Sequence, residues 1–177
     1  MRRRSLSWLQ VRTRPGSRTH GILLAGARAI PVLLGRSGIR ANKLEGDGAT
    51  PRGTFRLVRA WWRADRHPRP ETQLPVRRIT ADLAWCENTG SAKYNRPFRR
   101  SASEPGDRLW REDPLYDFFI QLDHNTRPRV GNRGSAVFIH LARSSGAPTA
   151  GCIALGGRDL QRLLQVLGPH TRIRISG

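Results

Sequence analysis

Two residues able to do acyl chemistry stand twelve positions apart late in this chain: His140 and Cys152, in HLARSSGAPTAGCIAL (140–155). The whole sequence holds five His and two Cys, so their proximity asks for an explanation. A thiol nucleophile needs a base to take its proton, usually His, and donors for the oxyanion that develops. This stretch supplies candidates for each role. A short loop can fold the His140 ring back over Cys152. Gly151 lets the backbone turn tightly, so that N–H groups around 151–152 face a substrate carbonyl. Thr149 can orient the imidazole or line the oxyanion position. The same residues also fit half of a metal site, or two buried side chains, because free Cys is among the most buried residue types. A catalytic Cys152 would carry a depressed pKa and react selectively.

The elements that must position this pair are short strands. LYDFFIQLDHN (115–125) and SAVFIHLA (135–142) read as two strands joined by a Pro/Gly/Arg loop, the second ending at the histidine. RDLQRLLQVLGPH (158–170) reads as a helix: Leu160, Leu163, Leu164 and Leu167 share one face, and Gly168–Pro169 supplies the stop. TRIRI (171–175) alternates as a last strand with Ile173 and Ile175 inward. Upstream, residues 20–38 form two apolar runs about Gly26–Ala27–Arg28, a hairpin with Pro31 near an edge. A Gly/Asp/Pro turn then precedes a strand at Thr54–Val58. Residues 61–114 are rich in proline and hold Trp61, Trp62, Trp85 and Trp110. They read as a long irregular inserted loop, of the kind that serves as a lid or binding loop.

At 177 residues with 37% apolar content, the chain suits one domain with a real core. The expected division is a basic segment, 1–19, and a domain, 20–177. Thirty-two Lys+Arg against 13 Asp+Glu give a net charge of +19, which raises the question of anionic partners. The cations are almost all Arg, with Lys only at 43 and 93, and they are spread along the chain. No zinc-finger, homeodomain or RNA-recognition pattern is present, so a general affinity for anionic surroundings is expected and no specific nucleic acid. No Cys/His spacing predicts zinc, and no apolar run is long enough for a transmembrane helix. The arginines at 2–4 resemble the start of a twin-arginine signal, but a polar, basic stretch follows where an apolar core is needed. No recognisable signal peptide is therefore expected.

The stretch IHLARSSGAPTAGCIAL resembles the signature of the L,D-transpeptidase catalytic domain family, the YkuD-like domain, in which a strand-end His precedes a Ser/Thr-x-Gly-Cys-aliphatic segment. GRSGIRANKLEGDGATPRGTFRL is similar to a second block of that family, with Lys, Gly-Asp-Gly, Thr-Pro and Gly-x-Phe in order. The resemblance covers residues 20–58 and 115–177. It implies a mainly β, β-sandwich fold with one C-terminal helix, and a cysteine acyltransferase that needs no cofactor and no metal. Cys152 would be the nucleophile, His140 the base, and Thr149 and Gly151 the hydroxyl and oxyanion positions. Its substrate would be a peptidoglycan tetrapeptide stem: the diaminopimelate carbonyl is attacked, D-alanine leaves and the amine of a second stem takes the acyl group. Such a substrate implies the periplasm or cell envelope. Leu141 follows the His where Gly is usual, Ala150 stands where His or Lys often precedes the Gly, and Ala154 replaces a common Arg or Asn. A carboxypeptidase or amidase is compatible with these changes.

Other residues are weaker candidates. His124 ends the strand expected to neighbour that of His140 and can serve as an auxiliary histidine, or lie in an exposed turn with Asp123 and Asn125 as turn formers. Trp85, Tyr94 and Arg96, in the inserted loop, can grip an anionic stem. Glu45 and Asp47 are explained by their Gly-rich turn, and Cys86 as a small apolar residue. His20, His67 and His170 have no evident partner. The competing reading is a basic module for nucleic acid or an anionic wall polymer with a structural Cys152.

Overall fold

A computed structural model describes residues 5–101 and 103–177, so the arginines at 2–4 lie outside the described residues. The chain begins with three strands, β1 (Trp8–Thr13), β2 (His20–Ala25) and β3 (Arg28–Leu33). Two short strands, β4 (Ile39–Arg40) and β5 (Thr50–Pro51), pair in parallel and lead into the longest one, β6 (Gly53–Trp62). β7 (Val76–Arg78), β8 (Leu83–Trp85), β9 (Pro97–Arg99) and β10 (Asp107–Arg108) follow. Then come β11 (Phe118–Leu122), β12 (Phe138–Leu141), β13 (Ile153–Leu155), the helix α1 (Gly157–Leu164) and β14 (Arg172–Ser176). The mainly β expectation holds, with this α-helix near the C-terminus among the described residues.

The main sheet runs β11-β12-β13-β3-β2-β1-β14-β6, and β6 pairs again with β11. That last pairing closes the sheet into a barrel, a difference from the expected sandwich. The cause is the length of β6. Gly53–Arg56 pair with β14, while Leu57–Trp62 pair with β11, and β7 adds to the far end. Closure removes the unpaired edges that an open sheet must protect.

The strand alternation sorts side chains to the two faces. Inside lie Leu9, Val11, Leu23, Ile30, Val32, Leu57, Ile120, Ile139, Ile153, Ile173 and Ile175, joined by Leu160, Leu163, Leu164 and Leu167 from the helical end. Burying each of these aliphatic side chains stabilises the fold by about 1.5–3 kcal/mol. The helix is shorter than the leucine pattern predicts. Beyond Leu164 the backbone tightens, with Val166 N–H donating to Leu163 O and Leu167 N–H to Leu164 O, and the Gly168 N–H turns to Thr171 Oγ1.

Two boundaries differ from the sequence reading. Residues 8–13, expected within the basic segment 1–19, form β1, paired with β2 and, in parallel, with β14. Leu9 and Val11 point inward there, while basic neighbours lie on the other face or beyond the strand. The segment 61–114 is not one irregular loop either. It starts inside β6 and contributes β7 to the barrel, and β8, β9 and β10 form a small antiparallel sheet of their own. Pro31 does sit where β3 is open: on that side β3 meets β13 only at Leu33. His67, without an evident partner in sequence, bonds Asp117 at 2.8 Å.

Candidate functional site

His140 and Cys152 reach one cavity wall because β12 and β13 are parallel neighbours. The register sets His140 beside Ala154 and Ile139 beside Ile153. With the two-residue period of a strand, Phe138, His140, Cys152 and Ala154 then share the outer face, and Ile139 and Ile153 the inner one. The outer face is covered by the small sheet and by the turn at Pro114–Tyr116, which pack Trp61, Trp85, Leu109, Tyr116, Phe119 and Phe138 into a second cluster that includes Cys152.

Two cavities adjoin at Cys152. One, of about 550 Å³, is bordered by His140, Arg111, Arg143, Tyr116, Thr149 and Cys152. The other, of about 370 Å³, is bordered by Lys43, Glu45, Ser135, Gly151 and Cys152. Arg36, Glu87, Asp107 and Tyr116 border both.

The His140 ring is buried and its Nδ1 lies 2.8 Å from Leu141 O. A carbonyl only accepts, so Nδ1 carries the proton and Nε2 is left as the acceptor. Tyr116 packs edge-on against the ring. Burial is the main cause that pushes the His140 pKa down to about 4, and Arg111 and Arg143 add to it. The imidazole is therefore neutral near pH 7.

The Cys152 thiol donates to Ala136 O at 3.1 Å, and Phe138 N–H lies 3.4 Å from the sulfur as a donor to it. Ala136 holds a left-handed conformation, φ 51°, and its own N–H donates to Asn95 Oδ1. Burial pushes the thiol up to about 12, with Asp107 and Glu87 adding to the rise while the Phe138 N–H and Lys43 oppose it. The depressed pKa expected from sequence is thus reversed. Desolvation of the sulfur outweighs its donors, and the resting pair is thiol and neutral imidazole rather than thiolate and imidazolium.

The carboxyls around the cavities are shifted as well. Burial, with Asp107 and Glu45 as neighbours, raises Glu87 to about 7 even though the residue keeps contact with water. Burial also raises Asp107, which accepts from Tyr116 Oη at 2.8 Å. Arg111 is fixed by two 2.7 Å bonds to Asp113.

The remaining sequence candidates divide. Thr149 Oγ1 donates to Cys152 O at 2.6 Å and accepts from Gly151 N–H at 3.1 Å, so this hydroxyl closes the turn and occupies that N–H. Gly151, at φ 140°, packs where an added Cβ would come within 2.7 Å of Ala49 O. Trp85 and Tyr94 are buried structural members: the Trp85 indole donates to Asn95 Oδ1, and the Tyr94 hydroxyl donates to Glu45. Arg96 is exposed and borders neither cavity. His124 also stays outside both, with Nε2 at 2.9 Å from Arg133 O. Asn125 takes the turn role, at φ 49°. Cys86 and Cys152 are both free, and Cys86 packs with Ala84 and Phe98. Among the described residues no group of three His, Cys, Asp or Glu is placed to hold a metal.

Sequence reasoning missed Lys43, Glu87, Asp107, Arg111 and Tyr116 as cavity residues. The Lys43 position was visible inside the Lys/Gly-Asp-Gly block. Glu87, Asp107 and Arg111 come from the inserted segment, where no pattern marked them, and Tyr116 from the stretch 115–125, read only as a strand.

The family comparison agrees with this geometry. A family model described as the L,D-transpeptidase catalytic domain, YkuD, matches residues 23–175. The chain belongs to that family. The match runs through the inserted segment, which the motif resemblance had left out, so the small sheet over the cavity lies within the family domain. No curated protein matches the chain. Members of the YkuD family act on peptidoglycan stem peptides, and no helix among the described residues is long and apolar enough to cross a membrane.

Proposed function

We propose that this protein is a cysteine acyltransferase that cross-links peptidoglycan stems between diaminopimelate residues and releases D-alanine. One observation carries the reading: Cys152 and His140 share the outer face of two parallel neighbours at one cavity wall, with Nε2 as the ring acceptor. The His140 Nε2 takes the Cys152 proton as Sγ bonds to the diaminopimelate carbonyl carbon. The C–N bond to D-alanine breaks and its amine leaves with that proton. The amine of a second stem then attacks the thioester, passing its proton through His140 to the departing sulfur. Because thiol and imidazole rest neutral, proton transfer and attack belong to the substrate complex and not to a preformed ion pair. The substrate's location places the protein in the periplasm or cell envelope, where its positive charge suits an anionic wall.

The test is incubation of wild type and Cys152→Ala with disaccharide-tetrapeptide muropeptides, followed by mass spectrometry. A dimer lacking one D-alanine, absent with the variant, supports cross-linking. A tripeptide monomer means that water resolves the thioester, as in a carboxypeptidase, and cleavage at another bond means an amidase or endopeptidase. Substrate left intact by wild type overturns the enzyme reading and favours a basic binding module with a structural Cys152.

A further inference from the structure

Lys43 is a buried lysine, 6% exposed, on the wall of the cavity that also holds Cys152. Its Nζ donates to Asp47 Oδ1 at 2.7 Å and to Leu44 O at 3.2 Å. An ammonium has three hydrogens, and among the described residues the third has no acceptor. Two glycines make room for the stem. An added Cβ at Gly134, φ 90°, would come within 3.0 Å of Lys43 Cε and Cγ, and one at Gly151 would stand 3.4 Å from Nζ. Lys43 therefore threads between two positions without side chains and ends beside the residue that precedes Cys152.

Negative charge develops at Cys152 during acyl transfer, on sulfur as its proton leaves and then on the substrate oxygen. The groups facing it are mostly unfavourable. Asp107 and Glu87 oppose a negative charge there, and Tyr116 is engaged with Asp107. His140 is neutral near pH 7. Arg36 and Arg143 are exposed, and Arg111 is committed to Asp113. Lys43 is the cation in these walls that is desolvated, and its charge favours the thiolate. A fixed charge acts most strongly where water is excluded. Asp47 offsets part of it, but that carboxylate also accepts from the Leu44 and Ala49 N–H groups.

We propose that the Lys43 ammonium is the electrostatic partner of the anion formed at Cys152, offering its third N–H to the thiolate and then to the oxyanion. This rests on reading Cys152 as the nucleophile. The test follows iodoacetamide alkylation of Cys152 across pH in wild type, Lys43→Arg, Lys43→Met and Asp47→Asn, with near-ultraviolet circular dichroism to confirm folding. The sulfur displaces iodide and its proton goes to solvent, so the rate reads the thiolate without any peptide substrate. Lys43→Met is expected to slow alkylation at pH 8 by about tenfold or more, one pKa unit, and to move its midpoint to higher pH. Lys43→Arg stays within about threefold of wild type, because the charge is kept. Asp47→Asn alkylates as fast as wild type or faster. A purely structural ion pair would instead make Lys43→Met and Asp47→Asn change in the same direction, and that result overturns the proposal, as does an unchanged Lys43→Met. Should Lys43→Met fail to fold, a slower Asp47→Asn decides against it and an equal or faster one for it. Muropeptide turnover is measured alongside. The expected alkylation order without any turnover by wild type keeps the Lys43 role and removes the peptidoglycan reading.

Discussion

The barrel interior and the cluster on its outer face are built from the same strands yet obey different rules. Adjacent residues go to opposite sides: Trp62 inside and Trp61 outside, Phe118 inside and Phe119 outside, Ile139 inside and His140 outside, Ile153 inside and Cys152 outside. The interior is largely aliphatic and its hydrogen bonds belong to the backbone ladder. The outer cluster is aromatic, and polar atoms run through it: Trp85 on Asn95, Tyr116 on Asp107, Cys152 on Ala136. A stacked pair, Trp61 on Phe119, and an edge-on pair, Trp85 against Phe138, give it rigidity without filling it. An interior with no cavity to keep can simply pack. A face that must admit a ligand needs large flat side chains that leave gaps beside them.

That contrast is broken most directly at the nucleophile. Cys152→Ala is expected to lower muropeptide turnover by at least about a thousandfold with a melting temperature close to wild type, measured on the same preparation. A variant that also melted much earlier would make Cys152 a core residue first. The converse change lies one residue on. Ile153→Ala removes a fully buried interior side chain and is expected to cost about 2–5 kcal/mol in denaturant unfolding, with turnover per folded molecule largely kept. Neighbours in sequence would then separate activity from stability.

His140 sharpens the comparison through pH. Its pKa falls from 6.5 to about 4 on folding, so between those values the unfolded chain binds a proton that the folded one refuses. Stability is complete above pH 6.5 and is lost as pH falls towards 4, by about 3 kcal/mol. Chemical denaturation of wild type and His140→Phe across pH 4–7 should show this slope in the first and a weaker slope in the second. The smallest effect is expected at Thr149→Val, which removes the hydroxyl that closes the Thr149–Cys152 turn. Here we expect about 1 kcal/mol of destabilisation and a severalfold loss of turnover, from a nucleophile held less firmly.

Legibility in the sequence followed the range of the interactions. TRIRI alternates on its own, so its strand and inward residues could be read directly, and SAVFIHLA shows a continuous apolar run of strand length. The His140/Cys152 pair was legible because both strands that carry it are close in the chain. β1 was hidden because its parallel partner, β14, lies at the opposite end of the sequence and its flanks are basic. Barrel closure depends on β6 changing partners halfway along, and no local pattern marks that change. The short strands at 83–85, 97–99 and 107–108 are too brief to show a period, which left Asp107 unnoticed. Lys43 needed Gly134 and Gly151 to be placed beside it in space. The sign of the thiol shift depended on burial, which residue types alone do not disclose.

The parallel pairing of β1 with β14 has a consequence for how the molecule is made. β14 lies between β1 and β6, so the ring stays open until Arg172–Ser176 has been synthesised. Until that strand pairs, β1 and the first half of β6 each present an unsatisfied edge. The chain's nucleophile is complete, yet the scaffold beneath it is not. Pairing of Arg172–Ser176 on both of its sides is thus the step that closes the ring, and a chain halted before that strand would hold the other seven ring strands as a sheet open between β1 and β6.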